Sequence, residues 1–302
     1  MITLPLGRHR LGAVAFIAVL AGCQAPQSQV GYSTGLAVGG GGAVPLTLRL
    51  IYVSDPGTNE VQVYKYLPPH ALYGTLTGFS NPQGLCADSA GHVFVTNMGA
   101  GTVQEFAHGG TTPINTFNPG GAPMGCAVQP VTDDLAVGDS ATGKYTLYHD
   151  EEPTMGAVNG PGAITSMYYL GYDNSGYLYM DGMVGAAFGY QYRHNNGVFH
   201  AVAVVPVIAN PGGVQWSGVA HRVWIGDQNT GNIYDVKING AQQGLTVTLA
   251  GAACVVQFII RAGNIVGPDR CSNTADVYTF PVGAVVPPAI SVAAAGAAIS
   301  PP

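Results

Sequence analysis

The chain has 302 residues, of which 47% are hydrophobic and only 9% charged, with a formal net charge of −6. It has no basic cluster and its balance is acidic, which excludes the electrostatic footprint of a nucleic-acid binder. The hydrophobic content resembles that of a membrane protein. After the N-terminus, however, Gly, Asn and Pro interrupt every apolar run before it reaches the roughly 18 residues of a spanning helix, so the body reads as turn-dense all-β.

Residues 1–22 read as a secretory leader. Arg8, His9 and Arg10 form a basic start, and Leu11 to Leu20 is an apolar run too short to cross a bilayer. The following Leu20-Ala21-Gly22-Cys23 resembles a bacterial lipobox. The resemblance implies cleavage before Cys23 and lipidation of its thiol, hence a chain anchored to a membrane rather than spanning it. Gln24 follows the cysteine where Asp would signal inner-membrane retention, which favours the outer membrane or cell surface. Residues 23–45 are rich in Gly, Ser and Gln and read as a flexible tether. Residues 46–302 form the folded body, long enough for one core and expected to be monomeric.

One pattern recurs through the body. An acid or amide ends a β-type run at Asp55, Asn97, Asp139, Asp181, Asp227 and Asp269, at spacings of 42, 42, 42, 46 and 42. Four residues before each lies Ile51, Val93, Leu135, Tyr177, Val223 or Ile265. After each comes an aromatic: Tyr64, Phe106, Tyr148, Tyr192, Tyr234 or Tyr278. A strand-dense repeat of about 40–50 residues is a β-propeller blade. The expectation is an all-β, six-bladed propeller with four strands, A to D, per repeat. The A strands are expected at 84–88, 124–129, 166–173, 213–219, 254–261 and 287–293. The first repeat lacks an A strand of its own, so Pro288 to Ala293 is expected to complete it and close the ring.

The clearest repeat is Pro82-x-Gly84-Leu85-x-Ala87-Asp88-x-x-Gly91-x-Val93-Phe94-Val95-Thr96-Asn97, with a turn at Asp88 to Gly91. This stretch resembles the NHL-repeat and YVTN-type β-propeller pattern over about 50–293, and the chain is similar to uncharacterised exported bacterial propeller lipoproteins. The resemblance implies a fold and no assigned reaction.

The six acid or amide positions would ring one face. They read either as a platform for a cation or polar ligand, with a divalent cation the one cofactor suggested, or as caps of their own turns. The repeated aromatics read as core. His108, His149 and His194 recur near C-strand ends as solvated loop residues, and His221 falls in an A–B turn. Gln215 and Gln257, in matching apolar A strands, are candidate channel residues. Cys254 and Cys271 fall on one face of one repeat and are expected to form a disulfide closing about 17 residues, contributing about 3 kcal/mol. Cys86 and Cys126 are offset by one position on adjacent inner strands and are expected to be free buried thiols.

No nucleophile elbow, phosphate loop, Cys-x-x-Cys or His-Glu-x-x-His motif occurs. The expected function is a lipid-anchored binding scaffold in the bacterial cell envelope, meeting an envelope protein, glycan or small ligand. The alternative is a propeller enzyme of the metal-dependent lactonase or lyase type. The sparse glutamates, Glu60, Glu105, Glu151 and Glu152, depart from the lactonase pattern.

Overall fold

The computed structural model describes residues 48–149, 152–157, 164–184, 187–193, 199–202, 208, 210–217, 222–236 and 243–301. The leader, Cys23, the tether, His194 and His221 lie outside these residues. Residues 41–302 form one compact unit.

The described strands form six four-stranded antiparallel sheets, each a meander running outward from an innermost strand. The first contains β1 (Leu50–Asp55), β2 (Glu60–Lys65) and β3 (Leu72–Leu76). The second contains β4 (Pro82–Ala87), β5 (Val93–Asn97), β6 (Thr102–Phe106) and β7 (Pro113–Phe117). The third contains β8 (Pro123–Val128), β9 (Leu135–Asp139), β10 (Lys144–His149) and β11 (Glu152–Ala157). The fourth contains β12 (Ser166–Tyr172), β13 (Leu178–Val184), β14 (Ala187–Arg193) and β15 (Phe199–Val202). The fifth contains β16 (Pro211–Ser217), β17 (Arg222–Asp227), β18 (Asn232–Val236) and β19 (Gln243–Thr248). The sixth contains β20 (Ile259–Arg261), β21 (Asn264–Asp269), β22 (Thr274–Thr279) and β23 (Val285–Ser291). The last strand, β24 (Gly296–Ser300), returns to the first sheet as its innermost member. Successive innermost strands pack on one another, and β24 packs on both β20 and β4, so the circle closes. The architecture is a β-propeller.

Closure uses a different segment from the expected one. Residues 287–293 fall largely in β23, the outer strand of the sixth sheet, paired with β22. The closing strand is β24, whose Ile299 lies opposite Ile51 of β1. Side-chain size explains the choice. Every residue of Gly296-Ala297-Ala298-Ile299-Ser300 is buried, whereas β23 is mostly exposed and carries Pro287 and Pro288, which suit a sheet edge. The expected A strand at 254–261 is also shorter, with only β20 in the ladder and an isolated bridge from Val255 to Asp269.

The repeated apolar residues form the packing between sheets. Ile51, Val93 and Ile265 are fully buried, as are Phe106 and Tyr278 from the aromatic series. The aromatic faces the fourth-before residue in four sheets, as in Ile51↔Tyr64, Val93↔Phe106, Leu135↔Tyr148 and Ile265↔Tyr278. In the fourth and fifth sheets it faces the second-before residue, Tyr179↔Tyr192 and Ile225↔Tyr234: the fourth sheet's strands pair beyond Asp181 as far as Val184↔Ala187, and in the fifth, where the turn matches the other sheets, the aromatic comes two positions earlier in the sequence.

The inner ring depends on glycine. A Cβ on Gly296 would lie 2.6 Å from the Gln83 carbonyl oxygen, and one on Gly84 would lie 2.6 Å from that of Met124. On Gly125 it would lie 2.4 Å from the Tyr168 oxygen, and on Gly171 2.6 Å from the Val214 oxygen. On Gly213 it would lie 2.8 Å from the Phe258 nitrogen. At these five of the six junctions the innermost strands thus meet backbone to backbone. Ser54 and Thr96 reinforce the junctions: their hydroxyls donate to the Gly296 and Gln83 carbonyls and to the Gly84 and Met124 carbonyls, respectively.

Gly125→Ala is expected to lower the unfolding free energy by about 2 kcal/mol or more, because the neighbouring backbone must move. Gly74→Ala on β3, where a Cβ meets nothing within 4 Å, is expected to stay within about 0.5 kcal/mol. Denaturant melts of the two variants against the parent check this.

Candidate functional site

Five of the six repeated acid or amide side chains satisfy amides of their own turns or incoming loops. Asp55 Oδ1 accepts from Gly57 N at 2.9 Å and Thr58 N at 3.2 Å, and Asp227 Oδ1 accepts from Asn229 N at 2.9 Å. Asn97 Oδ1 accepts from Ser80 N at 2.7 Å. Asp139 accepts from Ala122 N, Ala141 N and the Thr142 hydroxyl. Asp269 accepts from Ala253, Cys254, Cys271 and Ser272 amides. Burial alone would raise the Asp139 and Asp269 pKa values, but these hydrogen bonds outweigh it and hold both below the usual carboxylate range. These carboxylates therefore stabilise the fold above the unfolded-state pKa, and that contribution is lost as pH falls through their folded values.

Asp181 departs from the expected platform. β13 runs on to Val184, so Asp181 lies inside a strand rather than at its end, and it is fully buried. Its Oδ1 accepts from Tyr169 N at 3.0 Å, while its Oδ2 has no partner among the described residues. Burial pushes its pKa well above the ordinary value, and the Tyr169 amide offsets this only in part.

The cysteines form two disulfides. Cys254 and Cys271 are joined with Cα atoms 5.4 Å apart, and their backbone amides share Asp269 as acceptor. Cys86 and Cys126 are also joined, with Cα atoms 5.7 Å apart, which corrects the expectation of free thiols. The one-residue offset is real, since Cys86 pairs with Phe94 whereas Cys126 pairs with Val137. In a ring, however, neighbouring sheets present opposite faces to each other, so side chains on opposite faces of adjacent inner strands meet across the gap. The link spans 40 residues and contributes about 4 kcal/mol in the chain-entropy picture.

Gln257 is not available to a channel ligand. Its Oε1 accepts from Leu85 N at 2.8 Å and its Nε2 donates to Leu85 O at 2.6 Å. The side-chain amide acts as a piece of strand, tying the residues before β20 to the free edge of β4 across Gly296. His108 is half-buried rather than solvated, with Nδ1 at 2.5 Å from the Ser300 hydroxyl, and burial lowers its pKa. His149 is exposed and pairs with Asp134 at 2.6 Å.

Gln215 lies in an axial cavity of about 310 Å³, walled by five of the six sheets. The wall includes the Cys86–Cys126 disulfide, Tyr172, Trp216 and Arg261. The residues come from the later halves of the innermost strands, so the cavity lies toward the A–B turns, away from the repeated acids. Arg261 is the one charged side chain among the described lining residues. Burial and repulsion from Arg49 lower its pKa, and its Nη1 donates to the Ile299 carbonyl at 3.3 Å. Positive charge beside Tyr172 and Trp216 suits a small ligand with an anionic group and a flat apolar part. The sequence reading found Gln215 through its repeat position and missed Arg261. The available signal was a lone cation closing the apolar run Phe258-Ile259-Ile260.

No family model matches the chain, and no curated protein matches it. It is similar in structure to a chain of a nidogen/laminin complex, with a TM-score of 0.67 and 15% identity over 84% of this chain and 98% of that one. It is also similar to a Bacteroides caccae protein of unknown function, with a TM-score of 0.64 and 10% identity over 84% and 99%. A streptogramin B lyase gives a TM-score of 0.54 and 14% identity over 80% and 74%. At these identities the likeness establishes the β-propeller fold alone.

Gln257→Leu would leave the Leu85 N–H and C=O buried and unpaired and is expected to cost about 2–4 kcal/mol, whereas Gln215→Leu is expected to stay within about 1 kcal/mol. Urea melts separate the two. Asp181→Asn is expected to stabilise the protein at neutral pH. A raised folded pKa destabilises progressively as pH climbs above the unfolded carboxylate value, so the advantage should shrink toward pH of about 4. Melting temperatures of both proteins across pH 4–8 check the sign.

Proposed function

We propose that the protein is a lipid-anchored, six-bladed propeller of the bacterial cell envelope that acts as a binding scaffold. Its axial cavity takes a small ligand, or the end of a larger one, through an anionic group. The observation that carries this reading is the convergence of five sheets on one cavity in which Arg261, beside Tyr172 and Trp216, is the one charged side chain among the described lining residues. Two features support export: the Leu20-Ala21-Gly22-Cys23 sequence, and two disulfides, which persist in oxidising compartments. The alternative lactonase or lyase reading requires carboxylates converging on a cation at the channel mouth. Asp55, Asp139, Asp227 and Asp269 instead spend oxygens on their own turn amides.

Melting-temperature shifts across a panel of aromatic carboxylates, acidic oligosaccharides and acidic peptides test the reading. A binder at about 100 times its Kd is expected to add about 2.7 kcal/mol of stability, and Arg261→Ala to abolish the shift. No shift with any member, or an equal shift in Arg261→Ala, would sink it. Lipidation is checked separately by labelled fatty-acid incorporation, which Cys23→Ala is expected to eliminate.

A further inference from the structure

The A–B turn of the second sheet gathers three ligating side chains. Asp88 caps this turn: its Oδ1 accepts from His92 N at 2.7 Å, and its own amide donates to the His92 carbonyl at 3.1 Å. Its second oxygen, Oδ2, lies 3.0 Å from His92 Nδ1. Glu105, reaching across from β6, places Oε1 at 3.0 Å from that same nitrogen. One ligand atom from each of the three lies within 4.8 Å of the others. Two ligands held at about 2.1 Å from a metal and at right angles stand about 3.0 Å apart, so this spacing is that of neighbouring positions in a coordination shell.

The surroundings suit a cation. The triad lines a cavity of about 290 Å³ between the second and third sheets, walled otherwise by Phe94, Phe117, Leu135 and Tyr148. Asp88 and Glu105 are buried. The described lining contains no Lys or Arg, and its further carboxylate, Asp133, is held by Ser89. Both carboxylates converge on the one ring nitrogen of His92. Tyr148 supplies an independent sign. It is 95% buried, lines the same cavity, and its hydroxyl has no partner among the described residues. A buried hydroxyl without a partner costs free energy unless something in the cavity meets it.

The fifth sheet provides an internal comparison. Arg222 and Asp235 occupy the positions of His92 and Glu105, since Asp235 faces Trp224 as Glu105 faces Phe94. There a permanent cation meets one buried carboxylate and the charges balance. In the second sheet the imidazole of His92 stands where the fifth has a guanidinium, and a second carboxylate, Asp88, is added.

We propose that Asp88, His92 and Glu105 bind a divalent transition-metal cation, Zn²⁺ or Mn²⁺, whose remaining positions face the cavity and the Tyr148 hydroxyl. One imidazole with two carboxylates is a mixed N/O donor set that suits these ions. The backbone bond that orients Asp88 is the kind of outer contact that fixes a ligand. His92, half-exposed, leaves a path for the ion. The site is separate from the axial cavity, so its failure leaves the proposed ligand site untouched.

The test is calorimetric titration of the chelator-stripped protein with Zn²⁺ and with Mn²⁺, alongside metal content by mass spectrometry. One ion per chain is expected, with a raised melting temperature. His92→Gln and Glu105→Gln are each expected to weaken binding by about tenfold or more, and Tyr148→Phe to weaken it less. Asp55→Asn and Asp227→Asn, in the other acid series, are expected to leave binding unchanged. No ion bound by the parent protein, or unchanged binding in both His92→Gln and Glu105→Gln, would overturn the proposal. Should those variants fail to fold, the visible spectrum of the parent protein loaded with Co²⁺ decides: bands altered by Tyr148→Phe support the site, and absence of bands overturns it.

Discussion

The fold depends on the distance between neighbouring innermost strands. Six strands converge on one axis, and at Gly84, Gly125, Gly171, Gly213 and Gly296 one backbone lies where the other's Cβ would be. That contact sets the radius of the ring. It also explains why the closing strand reads Gly-Ala-Ala-Ile-Ser while the bulkier, proline-bearing run before it goes to the outer edge. Outward from the axis the sheets diverge and the side chains grow, ending in the aromatic series that fills the widening gap.

Ring geometry then decides which side chains meet. Cys86 and Cys126 look mismatched by strand pairing, yet they bond because adjacent sheets turn opposite faces to one another. Gln257 bridges past the first sheet to Leu85 because the intervening residue is Gly296. Both contacts knit the inner ring, and one of them forms part of the axial cavity wall. The cavity is thus built on the most constrained part of the molecule, which suits preorganised recognition.

The carboxylates divide by how their oxygens are used. In four of the repeated acids they accept turn amides, so the negative charge is locally satisfied. Asp181, inside strand β13, has a buried oxygen without a partner among the described residues. Asp88 and Glu105 differ again: both converge on one imidazole nitrogen at the edge of a cavity.

The sequence by itself determined the repeat, the antiparallel four-strand unit and the pairing of Cys254 with Cys271. These follow from alternation, turn residues and neighbours within one repeat, all short-range features of the chain. It also carried the caps: Asp55, Asp139, Asp227 and Asp269 bond their own turns because an Asx side chain reaches amides two or three residues on. What only tertiary structure decided lies between repeats. The closing strand, the Cys86–Cys126 bond, the Gln257 clasp, Arg261 in the cavity wall and Tyr148 beside Asp88, His92 and Glu105 join residues whose proximity depends on how one sheet rotates against the next. The 42-residue period fixes how often a sheet occurs. It holds no information on which faces of neighbouring sheets touch, because that is set by packing at the axis.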